Sequence, residues 1–301
     1  MNIERPTAVL KSDLRSDPLR VASVADMPPA LADARASKPP LAHLKSALLW
    51  LGRVLLLIAV PLFILILASG LAIAIIRIGG DLRLGIDPFL ATAARPRLPL
   101  SEVAGRAVAV DALRQVLMAG LVVSLAVWAA GGAWRRRLGL TRPDEARAPM
   151  RRLWLLLALW PLIHIAWVTT SAAALNMNFG NGVRLSPFLS PRMLALWFAF
   201  VVVLAPIAEE LLLRGQTFAR ASAFMGPAGT IVATALLFCL AHVSLDPGAK
   251  SALARPLTLL PLALTLGWLR WRTGRLWPCI LLHGWSNFCL VAYQIGPGLL
   301  R

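Results

Sequence analysis

Seven stretches free of Asp, Glu, Lys and Arg dominate this chain: Val54–Ile76, Gln115–Trp134, Leu153–Leu175, Met193–Ala208, Pro227–Leu245, Pro256–Leu269 and Leu276–Ile295. A hydrocarbon core of about 30 Å takes about 20 helical residues, so most of these runs can cross a bilayer alone and the shorter ones need flanking turns. Lipid offers no partner to an open backbone, and no run alternates with period two, so all are read as helices. With 58% hydrophobic residues among 301 and a mean hydropathy of +0.71, the composition lies outside the range of soluble domains. The expected fold class is all-α, a polytopic membrane bundle of about seven to eight transmembrane helices. An eighth, half-length or interfacial helix is sought in Ile86–Arg114 or near His43–Arg53.

Residues 1–46 are polar, rich in Pro, Ala and charges of both signs, and hold no apolar core of a signal peptide. They are expected to form a largely disordered cytoplasmic tail before a single membrane domain, 47–301. The net charge of +17 would suggest nucleic acid in a soluble chain. Here the arginines fall mostly between apolar runs, where they anchor and orient helices, so the expected partner is the lipid bilayer and not nucleic acid. The basic links Arg135–Arg152 and Arg270–Arg275 should be cytoplasmic. That places the N-terminus inside and the protein in a cell (inner) membrane of bacterial type, although several arginines in Arg77–Arg114 fall on the opposite side. Cys239, Cys279 and Cys289 lie in apolar runs without metal-ligand or paired spacing and read as small core residues.

Ionisable side chains at membrane depth are costly and usually face an interior or a water-filled cavity. The C-terminal half carries three such groups, each with members four apart and so on one helical face: Glu209-Glu210-x-x-x-Arg214, Phe238-x-x-x-His242 and His283-x-x-x-Asn287. The plain alternatives are a headgroup-level ion pair for the first and interhelical hydrogen bonding for the others. His164, with no polar partner at helical spacing, is read as an ordinary interior residue. Geometry links the first two groups. Glu209 lies 17 residues before Gly226 and His242 lies 15 after Pro227. If Gly226-Pro227 is the breaker between two antiparallel helices, both residues stand about 22 to 26 Å from it and therefore level.

A carboxylate, two imidazoles and a carboxamide converging in a membrane supply the parts for hydrolysis. Glu209 can deprotonate water while a nearby imidazole orients it, and His283 and Asn287 can donate to the oxyanion of a tetrahedral intermediate. Glu210 has Arg214 as a cationic partner in the favourable order, which leaves Glu209 the freer base. Two histidines and a glutamate (Glu209, His242, His283) also match the ligand set of a catalytic zinc, and the sequence permits either version. No H-E-x-x-H occurs, Gly284–Asn287 (GWSN) falls short of a G-x-S-G, and Ile78–Asp81 (IGGD) has the wrong order for G-x-G-D.

In that order on successive C-terminal helices, the three groups resemble the CAAX protease and bacteriocin-processing family, also called CPBP or Abi. The likeness covers about residues 193–295, with Thr273–Asn287 resembling the family's last motif and its preceding turn. The resemblance implies a helical bundle of about eight spans and glutamate-dependent intramembrane proteolysis of a membrane-bound or lipid-modified protein or peptide. It places water activation on Glu209 and His242, oxyanion stabilisation on His283 and Asn287, and supporting roles on Glu210, Arg214 and Phe238. Zinc or another divalent metal is a possible cofactor within that family. Against this stands a non-catalytic reading, an immunity or adaptor protein or a proton-coupled carrier; a carrier should show inverted repeats, and none is evident.

Overall fold

The computed structural model describes residues 40–91, 94–141, 151–176, 185–243 and 249–299. Two compact units divide the chain, Met1–Leu49 and Trp50–Arg301. Of the first, residues 40–49 are described, as the opening turns of helix α1 (Pro40–Arg83). Helix thus begins inside the stretch 1–46 read as a polar tail, and residues 1–39 of that tail lie outside the described residues.

The second unit holds no strand among its described residues. After α1 come α2 (Leu100–Ala130), a 3₁₀ turn at Gly131–Ala133, the short α3 (Trp134–Leu138) and α4 (Arg151–Leu175). A long irregular helix α5 (Pro191–Ala221) follows, then α6 (Pro227–Leu240), α7 (Ala249–Thr273) and α8 (Trp277–Leu299). Each of the seven apolar runs is mainly helical over its described residues. Among the described residues five helical stretches are long and apolar enough to cross a membrane, including Leu44–Arg83 and Pro191–Ala221. This is an all-α membrane bundle. The places where an eighth element was sought, His43–Arg53 and the end of Ile86–Arg114, are N-terminal turns of α1 and α2, which run well past their apolar cores.

Helix boundaries follow local chemistry. Ser190 caps α5, its hydroxyl accepting from Met193 N at 3.3 Å, with Pro191 preset for the first turn. Gly226 precedes α6 without a side-chain cap and Pro227 is preset for its first turn, but α5 stops earlier than the breaker, at Ala221, where Met225 N closes a last turn onto Ala221 O at 2.8 Å. The α1–α2 connection is tied by ions. Asp81, buried at the end of α1, receives Arg95 Nη2 at 2.5 Å and Arg106 Nη1 at 2.7 Å, while Glu102 binds Arg106 at 2.8 Å and Arg83 at 2.6 Å. The Asp of the IGGD run is therefore committed to structure, and Arg83, Arg95, Arg106 and Arg114, the last with Asp111 at 3.1 Å, are paired with carboxylates.

Two apolar cores position the rest. One gathers Ala68 of α1, Met118 and Val122 of α2, Ala208 of α5, Phe238 of α6 and Ala263 of α7. The other joins Trp160 of α4 to Leu262 and Leu266 of α7 and Leu282 of α8. Outward, α1 exposes Leu55, Leu56, Phe63 and Ile66, an apolar surface that suits lipid and not water.

Gly139 closes α3 in the left-handed region at φ 76°, and its carbonyl accepts from Leu276 N at 2.8 Å. A Cβ there would stand 2.5 to 2.7 Å from the guanidinium of Arg270. Gly139→Ala thus combines backbone strain with displacement of Arg270, and we expect it to cost about 2 kcal/mol or more, read as a lowered thermal midpoint of the purified protein.

Candidate active site

Pro206 shapes the helix that carries the two glutamates. It has no N–H, and α5 widens just before it into a π-helical turn at Phe200–Leu204, where Ala205 N donates to Phe200 O five residues back. In that register residue 206 would donate to Val201 O, and a proline cannot. The carbonyl finds its partner elsewhere: Asn287 Nδ2 of α8 donates to Val201 O at 2.9 Å. One turn away, a Cβ on Gly284 would meet Val202 O at 2.8 Å, so only glycine lets α8 approach this closely. A second π-helical turn, Leu211–Thr217, follows the glutamates, and Thr217 Oγ1 donates to Leu212 O at 2.8 Å.

Between these two turns Glu209 and Glu210 diverge. Glu210 is fully buried, 0% exposed, and its Oε1 accepts from Arg214 Nη1 at 3.0 Å. Arg214, also 0% exposed, donates through Nη2 to Ala263 O of α7 at 2.9 Å, and its guanidinium carbon lies 4.8 Å from the ring centre of Phe238 on α6. The same Glu210 Oε1 meets His283 Nδ1 of α8 at 2.9 Å. One buried ion pair therefore ties together α5, α6, α7 and α8.

That pair also orients His283. A carboxylate accepts, so Nδ1 carries the proton and Nε2 presents its lone pair. His283 Nε2 stands 3.9 Å from Glu209 Oε2, a separation that a water can bridge. Glu209 is only partly buried, its side chain 20% exposed, where Glu210 has none. His242, in the turn just past α6, is held likewise: its Nδ1–H donates to Phe238 O at 2.8 Å and leaves Nε2 free. Phe238 packs between the imidazoles, its ring 4.6 Å from that of His242 and 5.5 Å from that of His283, centre to centre. Among the described residues, Glu209, Arg255 and His283 are the charged or titratable groups that act on His242.

The three motifs thus meet. Glu209, Glu210, Arg214, Phe238, His242 and His283 form one cluster, and the expected Glu210–Arg214 pair is present. His283 has Glu210 as its partner, which spacing alone did not reveal, and Asn287 spends its amide on Val201 O. His164 stacks on Trp160 at 6.0 Å without a polar partner for its buried Nδ1. Cys239 and Cys279 are buried free thiols and Cys289 is half-buried. Among the described residues no group of three or more His, Cys, Asp or Glu side chains is placed to hold a metal ion. Two backbone partners, Val201 O and Ala263 O, were invisible to motif reading; Pro206 inside an apolar helix was the available signal for the first.

Removing Arg214 would strand Glu210 as an unpaired buried carboxylate. Arg214→Leu should cost about 3 to 5 kcal/mol, and adding Glu210→Gln should restore a sizeable part, a coupling that a double-mutant cycle on thermal or denaturant unfolding measures.

No curated protein and no solved structure matches the chain. Residues 191–289, which run from the start of α5 to two residues past Asn287, match the family described as type II CAAX prenyl endopeptidase Rce1-like. That span contains all three motifs and both wide turns. Over these residues the chain is similar to the Rce1-like CAAX proteases, the family that its motifs resemble.

Proposed function

We propose that this chain is an intramembrane endopeptidase that hydrolyses a peptide bond of a membrane-bound or lipid-modified protein with water activated by Glu209. The observation that carries the reading is the 3.9 Å approach of Glu209 Oε2 to His283 Nε2, with His283 anchored through Nδ1 to the buried Glu210–Arg214 pair. A water bridging that gap gives its proton to Glu209 while an imidazole lone pair holds it. The hydroxide adds to the scissile carbonyl carbon, the C–N bond then breaks, and protonated Glu209 returns its proton to the leaving amine. His242, its Nε2 left free by the bond to Phe238 O, shares the orientation of the water. Oxyanion stabilisation is assigned to Asn287, whose amide must exchange Val201 O for the developing charge; His283, with its one proton given to Glu210, holds the water through the Nε2 lone pair instead. No step is routed through a metal.

The substrate class is supported by an apolar groove of about 390 Å³ between α5 and α8, lined by residues including Val202, Ile207, Gly284, Trp285 and Phe288. Gly284 of this lining adjoins His283, so the groove runs along the α8 segment that carries the imidazole. The orientation proposed puts the N-terminus and both basic links at the cytoplasmic face. In support, Arg137, Ser222 and Arg272, from the first link, the α5–α6 turn and the end of α7, line one cleft and so share a side.

Reconstituted in proteoliposomes with a set of prenylated and non-prenylated membrane-tethered peptides, the protein should cleave at least one, scored by mass spectrometry of products. Glu209→Gln and His242→Ala should each lower the rate by about 10²- to 10⁴-fold, and the double variant little further, because the two act as one unit. Cleavage retained by a folded Glu209→Gln protein would end the mechanism. Asn287→Ala separates its roles: an oxyanion donor costs about 10²- to 10³-fold in kcat, whereas a latch on Val201 alone costs stability and spares kcat.

A further inference from the structure

At the ends of α3, α5 and α7 the apolar faces give way to arginines. Arg137 lies on α3, Arg220 in the last turn of α5, and Arg270 and Arg272 in the last turn of α7. Arg137, Phe218, Ser222, Arg270, Trp271 and Arg272 line a cleft of about 600 Å³, and Arg220 stands within electrostatic range of Arg137. The ion pairs formed among the described residues involve other arginines, so no carboxylate there offsets Arg137, Arg220 or Arg272. Gathering like charges is unfavourable unless an anion sits among them.

The back wall is built and not merely basic. Arg270 is 8% exposed and held from three sides: its Nε donates to Arg214 O at 2.8 Å, its guanidinium carbon lies 5.6 Å from the Phe218 ring centre, and it fills the space above Gly139 that a Cβ would occupy. Arg137 is steadied by Gln216, with Nε 3.3 Å from Oε1. A guanidinium fixed before the ligand arrives suits the fork geometry of phosphate oxygens and loses little side-chain entropy on binding.

We propose that this cleft binds the phosphate headgroup of an anionic phospholipid. The cleft lies where three membrane-crossing stretches end, the level of headgroups, with the exposed Trp271 at its edge as interfacial aromatics stand. Its volume matches a small-molecule pocket and exceeds what one inorganic ion needs. The site is separate from the Glu209 cluster and rests on membrane embedding alone, not on hydrolysis.

The test is native mass spectrometry of the full-length protein in non-ionic detergent, titrated with dioleoyl phosphatidylglycerol or with dioleoyl phosphatidylcholine of the same chains. The wild type should bind the anionic lipid at least about tenfold more tightly. Arg272→Gln, at an exposed position, should lower that affinity about fivefold, and Arg137→Gln with Arg272→Gln about 20- to 30-fold, with phosphatidylcholine binding unchanged. Equal binding of the two lipids by the wild type, or a full preference kept by Arg272→Gln with an unaltered thermal midpoint, overturns the assignment. Displacement of the lipid by millimolar inorganic phosphate identifies a small-anion site and overturns the lipid as occupant; persistence of the lipid under that challenge supports it.

Discussion

The ion pair of Glu210 with Arg214 is the constraint on which the C-terminal half depends. Placing two charges inside a helical bundle costs several kcal/mol in lost hydration, and their attraction offsets this only when further hydrogen bonds complete the set. Arg214 supplies them across the fold by reaching Ala263 O and the Phe238 face, and Glu210 reaches His283. Removing any one of these helices would expose or strand a charge, so the pair selects one arrangement of four helices among the many that apolar packing alone would accept. The balance is incomplete: Glu210 Oε2 and Arg214 Nε are buried without a hydrogen-bond partner.

A second constraint begins with an atom that is missing from a residue. Pro206 has no N–H, α5 cannot close its regular ladder there, and Val201 O needs a donor from outside the helix. Asn287 provides it, and Gly284 removes the side chain that would keep α8 away. These two residues flank His283 by one and four positions, so the contact that repairs the backbone of α5 also fixes the height and rotation of the helix carrying the imidazole. Placement of the imidazole and satisfaction of the α5 backbone thereby rest on the same contact.

Much of this was legible in the sequence. Uncharged runs gave the helices, because lipid leaves the backbone no alternative, and the spacing of four put Glu210 beside Arg214 and Phe238 beside His242. Counting residues from Gly226-Pro227 put Glu209 level with His242, and in the fold both lie in the cluster around Phe238 and His283, although α5 ends at Ala221 and α6 at Leu240. The extents of α1 and α2 were underread, since a helix that leaves the bilayer keeps its hydrogen bonds after its apolarity ends. The partners of His283 and Asn287 were not legible, because a side chain that seeks a carboxylate 73 residues away or a carbonyl 86 residues away leaves no periodic trace.

The adjacency of the two glutamates now has a physical reason. Successive residues on a helix point about 100° apart, so a pair of neighbours cannot share an environment at the boundary of a core. Glu210 turns inward to the arginine and is fixed as an acceptor for His283 Nδ1. Glu209 turns to the half-buried wall, within 3.9 Å of the opposite nitrogen of the same ring. The imidazole thus lies between two carboxylates of different duty, one setting its tautomer and the other facing its lone pair. A single glutamate could not serve both ends of the ring, and a separation of two residues instead of one would point the second carboxylate about 200° away, out of reach of the same histidine.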